Sequence, residues 1–90
     1  MKNFKQKYYT IGEIAKICNI NIRTLHYYDS IDLVKPVKIV ENSNYRLYSK
    51  GQIPVINSIK RLREMGLSLK DVKLFISLIT IIIATLLQII

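Results

Sequence analysis

The sequence predicts a small, mainly helical domain with four helices and a two-stranded ribbon, followed by a hydrophobic C-terminal helix. Three stretches carry the signature of a helix start, in which a Ser or Thr cap is followed three residues later by an acid or amide. Between the second and third helices, apolar residues alternate on either side of a turn, which is typical of a hairpin. The order helix, turn, helix, ribbon, helix predicts a winged helix-turn-helix fold.

The first two helices are predicted at residues 11–17 and 22–30, joined by a tight turn. Thr10 and Glu13 form the capping box of the first helix, and Asn21 is the candidate N-cap of the second. Asn19 suits the turn because asparagine tolerates the left-handed conformation. The residues expected to face inward are Ile14, Ile17, Ile22, Leu25 and Tyr28.

The third helix is predicted at residues 50–65, with an apolar stripe at Ile53, Ile56, Ile59 and Leu62. Its start is indicated by the pair Ser49 and Gln52, and Gly66 is a suitable C-cap. Pro54 lacks a backbone donor, so this helix either begins later than Ser49 or is strained there. A fourth helix is predicted after Ser68, with Asp71 completing its cap.

The ribbon is predicted from the stretch "VKIVENSNYRLY", which has a Glu-Asn-Ser-Asn turn at its centre. The apolar residues that alternate along its two strands are Val37, Ile39, Tyr45 and Leu47.

The net charge of +8 favours an anionic partner, either nucleic acid or a membrane surface. A single cysteine excludes an internal disulfide and suits the reducing cytoplasm. Cys18 is expected to be a core residue, because one Cys and one His give no metal-ligand spacing. No cofactor is implied, and no nucleophile–base set or glycine-rich phosphate loop indicates an enzyme.

The second helix carries a basic and aromatic face, formed by Arg23, His26 and Tyr27 at spacing i, i+3 and i+4. Guanidinium, imidazole and phenol groups suit phosphate oxygens and base edges. A solvated helix face is the simpler alternative. Lys38 and Arg46 on the ribbon supply a second projecting basic element, and two such elements beside one helix favour duplex DNA as the partner.

Three stretches resemble the N-terminal DNA-binding domain of the MerR family of bacterial transcription regulators. They are "YYTIGEIAKICNINIRTLHYYDSIDLVKP", "NYRLYS" and "IKRLREMGLSLKDVK", in family order and at family spacing. The resemblance extends from about Tyr8 to Phe75, and "YYDSIDLVKP" is most similar to the drug-responsive members.

The resemblance implies a homodimer that binds and distorts a palindromic promoter operator in double-stranded DNA, and so acts indirectly on RNA polymerase. A small-molecule effector stays open, because no effector domain is expected within this sequence. The residues that the face, the ribbon and the resemblance together assign to DNA binding are Asn21, Arg23, Thr24, His26, Tyr27, Lys38, Arg46, Tyr48, Lys60 and Arg61.

Charge is confined to the first part of the chain, since every Lys, Arg, Asp and Glu lies at or before Lys73. We therefore predict a DNA-binding domain at residues 1–73 and an uncharged hydrophobic segment at residues 74–90. This tail lacks the charges and clean heptad stripe of a coiled coil. It is interpreted as a shortened dimer helix, a truncation product or a membrane anchor, with the first two favoured over the third.

Two other functions fit parts of the sequence. An excisionase-like architectural protein would share the winged helix-turn-helix and bend DNA, but the long stretch after the ribbon favours the regulator. A membrane-anchored interaction module would rest on the tail alone.

Overall fold

The computed structural model describes residues 7–43 and 45–89. The chain divides between Asn57 and Ser58 into two compact units, with the division inside the third helix. Along the described chain the elements are β1 (Tyr8–Thr10), α1 (Ile11–Cys18), α2 (Ile22–Ser30), β2 (Lys38–Val40), β3 (Tyr45–Ser49), α3 (Gln52–Glu64) and α4 (Leu69–Ile89). The predicted order of helix, turn, helix, ribbon and helix is confirmed.

Helix α1 begins with the predicted capping box. The Thr10 hydroxyl accepts a hydrogen bond from the Glu13 backbone N–H at 3.1 Å, and the Glu13 carboxylate accepts one from the Thr10 N–H at 2.8 Å. Helix α2 begins at the predicted cap, where the Asn21 Oδ1 accepts from the Arg23 N–H at 2.8 Å. These caps fix where each helix starts, because they satisfy backbone donors that the helix itself leaves unpaired.

The turn between α1 and α2 depends on Asn19, which takes the predicted left-handed conformation at φ 53°. This conformation reverses the chain within three residues and lets the Ile20 N–H donate to the Ala15 carbonyl at 2.9 Å. The two helices pack on each other. Their buried side chains are Ile14, Ala15, Cys18, Leu25 and Tyr28, which confirms the expected core positions of Cys18 and Tyr28.

Two residues predicted to face inward do not. Ile17 is 49% exposed and Ile22 is 44% exposed. A step of three residues falls about 60° short of a full helical turn, so residues at i and i+3 drift around the axis. The buried face of α1 follows Ile14, Ala15 and Cys18 instead, which leaves Ile17 at its edge.

The wing, defined as β2, β3 and the turn between them, belongs to a three-stranded antiparallel sheet in the order β1-β3-β2. The prediction of a two-stranded ribbon is therefore incomplete: β1 adds a strand, pairing Tyr9 with Tyr48. Three residues are too few to show an alternating pattern, and only the pairing with β3 makes them a strand. In the wing Ile39 pairs with Arg46; Asn44 of the predicted turn lies outside the described residues.

Helix α3 begins at Gln52, two residues later than predicted. Pro54 therefore lies in the first turn, where backbone N–H groups have no partner within the helix and a missing donor costs little. The Gln52 side chain accepts from the Ser49 N–H at 3.0 Å and donates to the Lys35 carbonyl at 2.6 Å. Both contacts hold the chain as it enters the helix.

In the second unit, α3 ends at the predicted glycine. Gly66 has φ 98°, its N–H donates to the Arg63 carbonyl, and the Leu67 N–H donates to the Leu62 carbonyl. Those two bonds make a Schellman motif. Ser68 then caps α4 by accepting from the Asp71 N–H at 3.1 Å, as predicted.

Helix α4 runs through Lys73 and Leu74 without a break. The domain boundary predicted there rests on charge composition and stays a prediction. Within residues 7–43 and 45–89, α4 is the one helix that is long and apolar enough to cross a membrane, judged by length and composition.

Candidate nucleic-acid interface

The contact face, defined as Arg23, His26 and Tyr27, lies on the solvent side of α2. All three side chains are exposed, whereas Leu25 and Tyr28 on the opposite side are buried. Burial on one side and polar groups on the other is what orients α2, because the apolar residues can be covered only against α1. The contact face is therefore exposed on the first unit, where a ligand can reach it.

The N-terminal end of α2 carries two further predicted contacts. Asn21 uses its Oδ1 to cap the helix, so its side chain is fixed beside the Arg23 backbone. Thr24 is half-buried on the flank of the helix. Both residues lie next to the contact face and extend it toward the start of the helix.

The wing presents its basic groups from two adjacent strands. Lys38 on β2 is exposed, and its ammonium lies 5.5 Å from the centre of the Tyr8 ring, a cation–π distance. Arg46 on β3 is half-buried, with its Nε donating to the Asp29 carboxylate at 3.0 Å. One edge of the Arg46 guanidinium is thus used within the protein and fixes the direction of the side chain.

Asp29 is the centre of an ion-pair network that joins α2 to the wing. Its carboxylate accepts from Arg46 and from the Lys35 ammonium at 2.9 Å, and Lys35 also lies 3.1 Å from Asp32. The hydrogen bond from Lys35 is the main reason that the pKa of Asp29 is lowered, against the opposing effect of burial. In return the pKa of Lys35 is raised, first by Asp29 and then by Asp32.

Sequence reasoning missed this network, although one signal was present. Asp29 stands in the last turn of α2, where the negative end of the helix dipole disfavours a carboxylate. An acid in that position needs a nearby cation, and Lys35 and Arg46 provide two. The network fixes the wing to the helix that carries the contact face.

Tyr48 must be removed from the predicted DNA contacts. Its side chain is fully buried, because β3 packs against α1. Burial also raises the pKa of its phenol. Among the described residues its hydroxyl has no hydrogen-bond partner. Tyr48 is therefore a core residue of the first unit and cannot reach a phosphate with its side chain.

The last two predicted contacts lie on α3 in the second unit. Arg61 is exposed and Lys60 is half-buried. Neighbouring residues on a helix point about 100° apart, so one surface can use one of them more directly than the other. The exposure favours Arg61.

The part of the chain that the structure describes has no cluster of metal-binding side chains. No three His, Cys, Asp or Glu side chains there lie close enough to hold a metal ion. Cys18 is buried and structural.

A helix-turn-helix whose second helix exposes a basic and aromatic face, with a wing fixed beside it, defines the winged helix-turn-helix class. The chain belongs to the MerR HTH family of regulatory proteins, whose family model matches residues 9–78. The predicted resemblance is confirmed, and so is the winged helix-turn-helix fold.

Three similar proteins illustrate the family. The multidrug-efflux transporter 1 regulator of Bacillus subtilis is 41% identical over 69 residues, which cover 77% of this chain and 25% of that protein. HiNmlR, a MerR family regulator lacking the sensor domain and bound to promoter DNA, has a TM-score of 0.74 at 28% identity, covering 83% of this chain and 56% of that one. MtaN, the N-terminus of a Bacillus subtilis multidrug transporter activator, has a TM-score of 0.66 at 35% identity, covering 72% and 60%.

The chain spans about a quarter of the length of the two Bacillus subtilis multidrug-efflux regulators that it matches. Likeness to the efflux regulator agrees with the predicted similarity to drug-responsive members.

Proposed function

We propose that the chain binds double-stranded DNA in a sequence-specific manner and regulates transcription from the promoter that contains its site. The observation that carries this proposal is the contact face of α2, exposed beside a wing that Asp29 fixes to the same helix. The solved structure of HiNmlR on promoter DNA supports it, since that protein shares the fold.

In this proposal α2 enters the major groove with its contact face toward the bases. An arginine can donate two hydrogen bonds to one guanine, which discriminates that base from the others, and Arg23 is the candidate for this role. His26 and Tyr27 then meet bases or phosphates on either side. Because Leu25 and Tyr28 are buried against α1, the helix cannot roll to present a different face.

The wing contacts the phosphate backbone beside the groove. Arg46 donates its Nε to Asp29 and keeps its terminal guanidinium nitrogens for a phosphate. Lys38 adds a second positive charge on the neighbouring strand, and Arg61 or Lys60 adds one from α3. Such contacts position the protein without reading sequence.

We further propose a homodimer on a palindromic operator, because two copies related by a twofold axis read two equivalent half-sites. Distortion of the operator would then act on RNA polymerase at the same promoter. The α1–α3 region works in the cytoplasm, where the DNA is. An effector is left outside this proposal, since no described residue points to one.

The proposal is tested by selecting ligands for the whole chain from a pool of random duplexes. We expect one sequence with two inverted half-sites to be enriched. Arg23→Ala should enrich a sequence with relaxed preference at one position of each half-site, equivalent to about 1–3 kcal/mol of lost discrimination.

Lys70→Ala is the matched control, because it removes one positive charge outside the predicted contacts. It should enrich the wild-type sequence. A pool that stays random with the wild-type chain would contradict sequence-specific binding, and an unchanged preference with Arg23→Ala would exclude the assigned face.

A further inference from the structure

After Lys73, helix α4 exposes apolar side chains over most of its circumference. The consecutive residues Ile81, Ile82 and Ile83 are 61%, 56% and 52% exposed. Successive residues on a helix are about 100° apart, so these three span about 200° of the circumference, and the remaining side carries the small or polar residues Ser77, Thr80, Ala84 and Gln88. From Leu74 to Ile89 no residue is charged, and the polar ones are Ser77, Thr80, Thr85 and Gln88.

We propose that α4 inserts into a lipid bilayer and tethers the DNA-binding part of the chain to the cytoplasmic face of the membrane. A helix that is apolar over most of its circumference needs an apolar medium around most of it. A second copy of the helix would cover one side of α4 and leave the other in water. This broad exposure therefore favours a bilayer over the dimer seam or truncation product that the sequence alone favoured.

Two of the four polar side chains after Lys73 are compatible with hydrocarbon. The Thr80 hydroxyl donates to the Ile76 carbonyl and the Thr85 hydroxyl to the Ile81 carbonyl, both at 2.9 Å. These bonds satisfy each hydroxyl within the helix itself, so neither needs water. The α-helix likewise pairs its own backbone groups, which is the condition for any segment that enters a bilayer.

The length of α4 suits deep insertion. Its 21 residues extend about 31 Å at 1.5 Å per residue, and a bilayer has a hydrocarbon core of about 30 Å. The uncharged part is shorter than the whole helix, and a short apolar segment is accommodated by local thinning of the bilayer and by flanking lysines that extend to the interface. Lys70 and Lys73 occupy that flanking position.

The charges define the orientation. Lys70 and Lys73 directly precede the apolar segment, and residues 1–73 carry a net charge of +8. Positive charge flanking a membrane helix stays on the cytoplasmic side, and it is attracted there by anionic lipid headgroups. This places residues 7–43 and 45–73 in the compartment that contains the DNA.

The first test is flotation of the whole chain with vesicles of phosphatidylglycerol and phosphatidylethanolamine after an alkaline carbonate wash. We expect the wild-type chain to float with the lipid. A chain that stays in the soluble fraction as a dimer without detergent would overturn the proposal, and so would one that pellets with or without vesicles, because both show that α4 associates with itself.

Ile82→Lys places a charge in the middle of the apolar segment and should lower partition into the vesicles by at least about tenfold. Ile82→Leu is the matched control and should float like the wild type. Equal flotation of the Lys variant would overturn insertion of this segment.

Orientation is tested separately in cells, by labelling Gln88→Cys with a membrane-impermeant maleimide. Cys18 is buried and does not compete. We expect labelling from outside the inner membrane for Gln88→Cys and none for Glu64→Cys, which is exposed and keeps the flanking lysines. The reverse pattern would overturn the orientation. Insertion does not depend on DNA binding, so duplex selection in detergent distinguishes failure of the tether from failure of the proposed function.

Discussion

Arg46 uses one edge of its guanidinium to bind Asp29, and in the proposed complex its terminal nitrogens bind a phosphate. A side chain fixed in this way loses less conformational entropy when it binds a phosphate than a free arginine does. In the proposed complex, Asp29 therefore positions the DNA contact of Arg46 without touching DNA itself. Lys35 binds the other oxygen of the same carboxylate, so Asp29 has two cationic partners.

Replacing Arg46 tests the role of the wing. Arg46→Ala should weaken binding to all duplexes about equally and reduce the slope of log affinity against log salt by about one unit, because one phosphate contact is lost. Fluorescence anisotropy with a selected and a shuffled duplex measures both effects. Lys70→Ala should leave the slope unchanged, and a loss confined to the selected duplex would mean that Arg46 reads a base.

Replacing Asp29 tests the ion-pair network through pH. The pKa of Asp29 is lowered in the folded chain, so its ionised form stabilises the fold above the unfolded pKa of about 4, and this contribution is lost as pH falls through the folded-state value. Asp29→Asn should destabilise the first unit by about 1 kcal/mol at pH 7 and by progressively less below about pH 4. Denaturant unfolding across that range measures the difference.

Asp32→Asn is the control for the network. Within the part of the chain that the structure describes, the ion pair of Asp32 is with Lys35, and both side chains are more than half exposed. Asparagine tolerates the positive φ of 60° at position 32. We expect almost no change in stability at any pH. Equal effects of the two substitutions would show that Asp29 has no special role.

At the scale of the elements, what the sequence predicted well was local. Each helix start is encoded by residues at most three apart, and the caps of α1, α2 and α4 were therefore readable from the sequence. The start of α2 and the left-handed Asn19 were predicted for the same reason.

What the sequence could not supply depends on contacts between distant segments. Strand β1 exists through its pairing with β3, some forty residues later. The burial of Tyr48 and the bond between Asp29 and Arg46 likewise arise only when the sheet and helices pack. The exposure of the contact face on α2 depends on neighbouring residues of one helix and was therefore predicted. The burial of Tyr48 on the wing depends on packing between distant segments, so that part of the prediction needed correction.

Gly66 gives a prediction for the end of α3. An added Cβ would meet nothing within 4 Å, so Gly66→Ala costs only the backbone strain of φ 98°, about 1 kcal/mol. Thermal unfolding should begin at a lower temperature. Gly12→Ala in α1 is the control: its Cβ meets ordinary contacts, so it should stabilise the chain by up to about 1 kcal/mol. If Gly66→Ala and Gly12→Ala shifted the unfolding temperature in the same direction, the Schellman motif at Gly66 would be contradicted.

At the scale of the whole molecule, charge and hydrophobicity are separated along the chain. A net charge of +8 lies within residues 1–73, and the segment after it has no charge. The first part suits a polyanion and the second a bilayer, so the two proposals assign different partners to different stretches. A tethered regulator would search only the DNA that approaches the membrane.

The most direct measurement of the central claim is the affinity of the whole chain for its selected duplex and for a shuffled one, over a range of salt in constant detergent. Phosphate contacts alone would give equal affinities with the same steep dependence on salt. We predict an affinity for the selected duplex at least about a thousandfold higher at moderate salt. Equal affinities at every salt concentration would contradict sequence-specific regulation and indicate an architectural DNA-bending protein.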